Sequence, residues 1–476
     1  MIEIHQTSRQ GDRLARTEAD APAGPRPDRV LTVDASRTHQ TMLGFGGSFT
    51  ESGASVLAEL SAERRAEVLA AHFGPDGSRY SLTRTHIASC DFSVRNYTYA
   101  PVPDDTALAH FSIEPDRTYL LPMIHEARAV PGADFRILAS PWTAPPWMKT
   151  NGTWNGGELK PEHHATFAAY LVKYLEAYRR EGIPIWGLTP INEPLGNDEK
   201  WESTHFTPQQ MRAFIVDHLA PALARAGLDT GIWIYDQNRD RCLLEWAEAI
   251  LGDEAAAAVV AGVAVHWYQS TVDVGGAMLD EVRRRFPRHA ILHTEGCIDA
   301  VGDDEPIGSW LDDDWYWRPE ATDWGMLWAP EEEKPHHPAY RPFHRYARDL
   351  VGGLNHGLVG WIDWNMVLNL RGGPNHARNM CLAPILVDSG RDRVHYTPLY
   401  YAVAHLSRFV RPGARRIGLD GHDDRLMATA LRNPDGTVVV VVFNPGEQDV
   451  RYELVRDDES ARVTVPGQAL QTVVLS

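Results

Sequence analysis

Two rhythms of hydrophobic and polar positions alternate along this chain. Short runs in which apolar side chains crowd or alternate, each closing on polar or aromatic residues, read as strands at residues 43–51, 81–88, 135–140, 185–194, 231–236, 262–268, 290–295 and 358–365. Between them apolar residues recur every three or four positions, the spacing that lines one face of a helix. Phe167, Tyr170, Leu171, Tyr174, Leu175 and Tyr178 make such a face over residues 161–180, and Gly182 stops it. Residues 52–71 read as another helix, through Val56, Leu57, Leu60, Val68 and Leu69. Thr207-Pro-Gln-Gln210 starts a third, a capping-box arrangement with proline at the first helical position.

Strand and helix thus alternate eight times, with polar or aromatic residues at the same end of each strand. The pattern predicts an α/β fold of the (β/α)8 TIM-barrel kind, whose strand tips open into an active-site mouth. Past residue 398 the rhythm changes. A helix at 399–409 is followed by short strands at 426–431, 437–444, 449–454, 461–465 and 470–475, separated by turns such as Asn433-Pro-Asp-Gly436 and Asn444-Pro-Gly446. This predicts an antiparallel β-sandwich, its edge completed by an N-terminal strand near Val30-Leu-Thr-Val-Asp34. The polar, proline-rich start, with Ala21-Pro-Ala-Gly-Pro-Arg-Pro27, is expected to be a flexible lead-in. The expected division is therefore 1–28 lead-in, 29–42 joining strand, 43–395 barrel and 396–476 sandwich. A chain of 476 residues is long enough for two such units.

Charge narrows the partners. A net charge of −18 disfavours nucleic acid and anionic membrane surfaces, which need basic patches, and leaves a neutral β-linked sugar as the better fit. The N-terminus has no apolar signal core and the longest apolar run, 255–265, is too short to span a membrane, so a cytoplasmic protein without membrane insertion is expected. Cys90, Cys242, Cys297 and Cys381 are widely spaced and read as structural thiols rather than disulfides or zinc ligands. Tryptophan is abundant, and rings of that size either stack on sugars or fill cores. Trp310, Trp315, Trp317, Trp324 and Trp328 fall among acidic residues in a long loop, 296–340, expected to be a substrate-shaping insertion or, equally, a contact between subunits of a homo-oligomer.

Several tips carry chemistry. Gly44, Gly46 and Gly47 lack the further glycine of a dinucleotide fingerprint; they are expected to let backbone approach a ligand, with Glu51 at the strand tip. Alternation points Arg84 into the barrel, where a guanidinium is costly unless a carboxylate meets it. Asn192 and Glu193 close residues 185–194; alone, Asn-Glu-Pro is more readily a loop cap than a catalyst. Glu295 closes 290–295, and two carboxylates facing each other across a barrel mouth are the equipment for glycoside hydrolysis. Neither His-Glu-x-x-His nor Gly-x-Ser-x-Gly occurs, so no metal and no cofactor is expected.

Gly44-Phe-Gly-Gly-Ser-Phe-Thr-Glu51, Ala88-Ser-Cys-Asp-Phe-Ser93, Ala139-Ser-Pro-Trp-Thr-Ala-Pro-Pro-Trp147, Asn192-Glu-Pro194, His266-Trp-Tyr268, Thr294-Glu-Gly296, Gly360-Trp-Ile-Asp-Trp-Asn365 and Gly372-Gly-Pro-Asn375 together resemble glycoside hydrolase family 30, the family of lysosomal acid β-glucosidase (glucosylceramidase) and microbial β-1,6-glucanases. The resemblance implies a barrel with an attached β-sandwich and a retaining mechanism on β-glucosidic bonds. It implies that Glu193 is the general acid/base, protonated at rest, and Glu295 the nucleophile. Glu51, Trp142, Asn192, Trp364 and Asn379 would surround the sugar, while Arg84, His266 and Tyr268 would hold Glu295 ionised and oriented. Three departures bear on the substrate: Glu51 where human-type members have Asp, His376 where the lysosomal type has Trp, and the unmatched acidic Trp-rich loop. Asp236-Gln-Asn-Arg-Asp240 looks closer to bacterial glucanase-type members. A β-xylosidase of the same family, or a catalytically silent carbohydrate-binding barrel, would share most of these motifs.

Overall fold

The computed structural model describes residues 2–21, 26–298 and 342–476. The tryptophan-rich insertion, apart from Gly296, Cys297 and Ile298, lies outside the described residues, and with it the choice between a substrate-shaping loop and a subunit contact. Among the described residues no helix is long and apolar enough to cross a membrane.

Three strands precede the barrel: β1 (Ile2–Thr7), β2 (Ala15–Thr17) and β3 (Arg29–Thr41). The barrel strands follow as β4 (Gly44–Phe49), β5 (Leu82–Ile87), β6 (Arg136–Pro141), β7 (Gly187–Leu188), β8 (Gly231–Asn238), β9 (Val260–His266), β10 (Ala290–Glu295) and β11 (Leu358–Asn365). They close in sequence order, all parallel, with β11 against β4. A small sheet of β12 (Val367–Asn369), β13 (Ile385–Asp388) and β14 (Arg393–Tyr396) comes next, then β15 (Arg415–Asp420), β16 (Met427–Arg432), β17 (Val438–Asn444), β18 (Val450–Arg456), β19 (Glu459–Val465) and β20 (Ala469–Leu475).

Period-two alternation explains how the barrel is filled. Leu82, Leu138, Trp233, Ala264, Leu292, Val359 and Ile362 form an apolar plug in its interior. Two residues on, the same inward faces of β5, β6, β9 and β10 carry Arg84, Ser140, His266 and Thr294, so apolar filling gives way to a polar layer towards the strand tips.

Five expectations need correction here. The fourth barrel strand pairs only at Gly187–Leu188, not over 185–194. Pro190 offers no N–H, and the segment beyond it leaves the ladder while remaining pinned: Asn192 N bonds Pro141 O at 2.7 Å and Glu193 N bonds Asp236 O at 3.0 Å. The helix read over 52–71 breaks into Glu51–Ala58, capped by Thr50, and Ala62–Phe73, capped by Ser61. The glycines of β4 serve packing: a Cβ on Gly46 would stand 2.0 Å from Leu82 O, and one on Gly47 2.7 Å from the Met366 side chain. What they bring close is the backbone of β5 and, after β11, the Met366 side chain.

The fourth correction concerns the N-terminus. Its first residues are not a flexible lead-in: β1 pairs along its whole length with β20 and then with β2. Ile4 is buried in the sandwich core with Leu31, Val33, Val440 and Val473. Its polar reading arose because the strand has only two apolar side chains, of which Ile4 does the burying. Nor does β3 complete an edge. The large sheet runs β19-β18-β3-β15-β16-β17-β20-β1-β2, so β3 is interior, parallel to β18 and antiparallel to β15, a strand the hydrophobic pattern did not reveal. The capping box at Thr207 forms as expected, Thr207 Oγ1 accepting from Gln210 N while Gln210 Oε1 accepts from Thr207 N.

Candidate active site

The polar layer is organised around a guanidinium. Arg84, fully buried on β5, donates to Glu295 Oε2 at 2.5 Å, Asp236 Oδ2 at 2.7 Å, Asn192 Oδ1 at 2.7 Å and Ser140 Oγ at 3.1 Å. The carboxylate demanded by a buried arginine is therefore present twice. Asp236, at the end of β8, also accepts from Ser140, Thr189 and Thr294 hydroxyls and from His266 Nε2. Burial works to raise its carboxyl, but Arg84 and His266 outweigh it and hold the group well below the usual carboxylate range.

His266 bridges two acids, Nε2 at 3.0 Å from Asp236 Oδ1 and Nδ1 at 3.0 Å from Glu193 Oε1. Burial would lower its basicity, yet Glu295, Asp236 and Glu193 push it up to about 9, so both ring nitrogens donate near neutrality. Glu295 is held at each oxygen by a donor: Tyr268 Oη at 3.0 Å from Oε1 and Arg84 at Oε2. Burial pushes its carboxyl up while His266 and Arg84 oppose, and a donor at each oxygen suits the carboxylate form. Glu193 sits at φ +45°, a left-handed conformation unusual for a glutamate and kept by its backbone bond to Asp236. Oxygens of Glu193 and Glu295 and a ring nitrogen of His266 lie within 4.8 Å of one another. Among the described residues this is the group whose spacing could hold a metal ion, but its donor atoms already face Arg84, Asp236 and Tyr268.

Trp142 and Trp364 stack on each other, centroids 5.0 Å apart and planes at 18°, with the Arg84 guanidinium 4.8 Å from the Trp142 ring. Glu51 and Asn379 belong to an adjoining patch. Val94 N donates to Glu51 Oε2 at 3.0 Å, and burial raises that carboxyl. Asn379 Nδ2 meets Asp91 Oδ2 at 3.2 Å.

The patch contains two acids that sequence reasoning passed over. Asp91 is buried between Asn375 and Asn379, and burial with the charge of Glu295 raises it to about 7. Glu202, 1% exposed, accepts from Asn96 at 2.7 Å and from His376 at 3.2 Å. His376 also donates to Ser93 O; burial opposes its charge but Glu202 raises it to about 9. Asp91 lay within a quoted motif and could have been singled out. Glu202 lies in an irregular loop with no pattern to mark it.

Comparison with known proteins agrees with this geometry. Residues 42–315 and 332–410 match the glycosyl hydrolase family 30 TIM-barrel domain, and 413–473 the β-sandwich domain of the same family. The barrel domain thus runs past the expected boundary at 395, through the helix Pro398–Ser407. Lysosomal acid glucosylceramidase of Mus musculus is 35% identical over 93% of this chain and 82% of its own length. An endo-1,6-β-D-glucanase of Aspergillus fumigatus is 27% identical over 94% and 87%. The crystal structure of SrfJ from Salmonella typhimurium, 30% identical, superposes with a TM-score of 0.85 over 100% of this chain and 99% of that one. With both of its domains matched in order, this chain is a glycoside hydrolase and belongs to glycosyl hydrolase family 30.

Proposed function

We propose that the chain is a retaining β-glycosidase that cleaves β-glucosidic bonds by double displacement, with Glu295 as nucleophile and Glu193 as general acid/base. The observation that carries this is the spacing of the two acids, whose oxygens approach within 4.8 Å. Retaining sites hold their carboxyl groups about 5–5.5 Å apart and inverting sites about 6.5–9.5 Å, and a close oxygen-to-oxygen approach favours the shorter arrangement.

Charge bookkeeping supports the roles. Arg84 and protonated His266 balance Asp236 and ionised Glu295, so a Glu193 that carries its proton leaves the cluster neutral. In the first step Glu295 attacks the anomeric carbon, the bond to the leaving oxygen breaks, and Glu193 gives that oxygen its proton. Negative charge thereby moves from Glu295 to Glu193. His266 Nδ1, 3.0 Å from Glu193 Oε1, is already in place to stabilise it there. In the second step Glu193 removes a proton from water, which displaces Glu295 and restores the β-anomer. Trp142, Trp364, Asn192, Glu51 and Asn379 would bind the sugar around this pair, with Arg84, His266 and Tyr268 setting the orientation of the acids.

The glucosyl unit is what the mouse and fungal relatives' names have in common, and over the whole chain identity is higher to the glucosylceramidase than to the glucanase. Parallel assays on an aryl β-glucoside, an aryl β-xyloside, gentiobiose and a short-chain glucosylceramide test the reading. Turnover of the β-glucoside well above the β-xyloside is expected, falling by roughly 10⁴-fold or more in Glu295→Gln with the fold intact. A preference for xyloside would change the sugar, and inert behaviour towards all four would contradict the proposal.

A further inference from the structure

Cys297 and Cys381 lie 84 positions apart in sequence, yet both are buried and their sulfurs are 3.0 Å apart. Cys297 is two residues beyond Glu295, and its sulfur is 3.4 Å from Tyr268 Oη, the hydroxyl that donates to Glu295 Oε1 at 3.0 Å. On the other side, Cys381 follows Asn379 by two residues and its sulfur is 3.8 Å from the Asn379 carbonyl oxygen. The two segments are already held in register, Leu382 N bonding Ile298 O at 2.8 Å. A disulfide needs its sulfurs about 2.05 Å apart, so closure calls for about one ångström of side-chain motion.

We propose that Cys297 and Cys381 are an oxidisable dithiol attached to the nucleophile's support, closing to a disulfide under a peroxide. One thiolate attacks a peroxide oxygen, the O–O bond breaks, and a sulfenic acid forms with release of hydroxide. The second thiolate then attacks that sulfur and displaces a second hydroxide, which leaves as water. In balance, two thiols and one hydrogen peroxide give one disulfide and two waters; the sulfurs lose two electrons and the peroxide gains them. The new bond ties the residues after β10 to the segment bearing Asn379. It also removes the thiol hydrogen beside Tyr268 Oη. Through Tyr268, oxidation changes how Glu295 is held.

Cys90 and Cys242 act as internal references, one buried after β5 and one half-exposed in the helix Arg241–Leu251. The test treats the whole protein with hydrogen peroxide. Thiols counted after denaturation are expected to fall from four to two, with peptide mapping recovering a Cys297–Cys381 cross-link two hydrogens lighter than the separate thiols. Aryl β-glucoside turnover should fall severalfold and return with dithiothreitol, whereas Cys381→Ser and Cys381→Ala should keep their untreated rates through the same exposure. Retention of all four thiols, or oxygen adducts on these cysteines in place of a cross-link, overturns the proposal. An unchanged rate in fully cross-linked protein overturns the link to Glu295. Because the effect on rate rests on the glycosidase reading and the thiol count does not, failure of the one is distinguishable from failure of the other.

Discussion

At Arg84 four acceptors from four different strands or strand ends converge on one buried guanidinium. Its inward direction was legible from the alternation of β5, and so was its need for a carboxylate. That Asp236 would be one of two partners was not, because the contact joins positions 152 apart in sequence and depends on how the barrel closes. Glu202 escaped for the same reason, its partners Asn96 and His376 lying 106 and 174 positions away, whereas Asp91 stood in a motif and could have been singled out. The folded-state value of about 9 for His266 lies above the ordinary 6.5, so the stability it contributes is complete below 6.5 and lost as pH rises through about 9. The groups responsible are Glu295, Asp236 and Glu193. His376 titrates in the same window, which makes the difference between wild type and His266→Gln the informative quantity. Urea denaturation from about pH 6 to pH 10 should show the wild-type advantage over His266→Gln shrinking towards the alkaline end; parallel curves would contradict it.

At the scale of elements, the barrel strands were readable because a period of two in a buried sheet leaves a strong hydrophobic signature. β10 and β11 coincide with their expected spans, and the Thr207 cap forms as its residues require. β7 failed because its tip is held by bonds to β6 and β8 that no local pattern announces. The β4 glycines failed differently: sequence reveals that something packs close to them, not what does. Gly46→Ala is accordingly expected to cost about 3 kcal/mol or more, since its Cβ would collide with a carbonyl oxygen of β5 at 2.0 Å. Equilibrium unfolding checks this, and an alanine variant as stable as wild type would contradict it.

In the molecule as a whole, the sandwich is completed by both ends of the chain. β1 covers the edge of β20, and His405, on the helix Pro398–Ser407, spans Thr7 of the first strand and Thr472 of the last at 2.8 Å each. A chain lacking residues 2–17 loses the burial of Ile4, roughly 1.5–3 kcal/mol, and leaves His405 Nε2 without its hydroxyl. It should unfold at lower denaturant and self-associate through the bared β20 edge; an unchanged midpoint by chemical denaturation would contradict that. The same ordering of distant segments brings Glu193 and Glu295 together. The most direct test of their roles is a peptide mass map after exposure to an activated 2-deoxy-2-fluoro-β-glucoside, which slows release of a covalent glycosyl-enzyme. One fluoroglucosyl group is expected, carried by the peptide containing Glu295. Turnover of the parent glucoside with no adduct, or with the label on another residue, would contradict it.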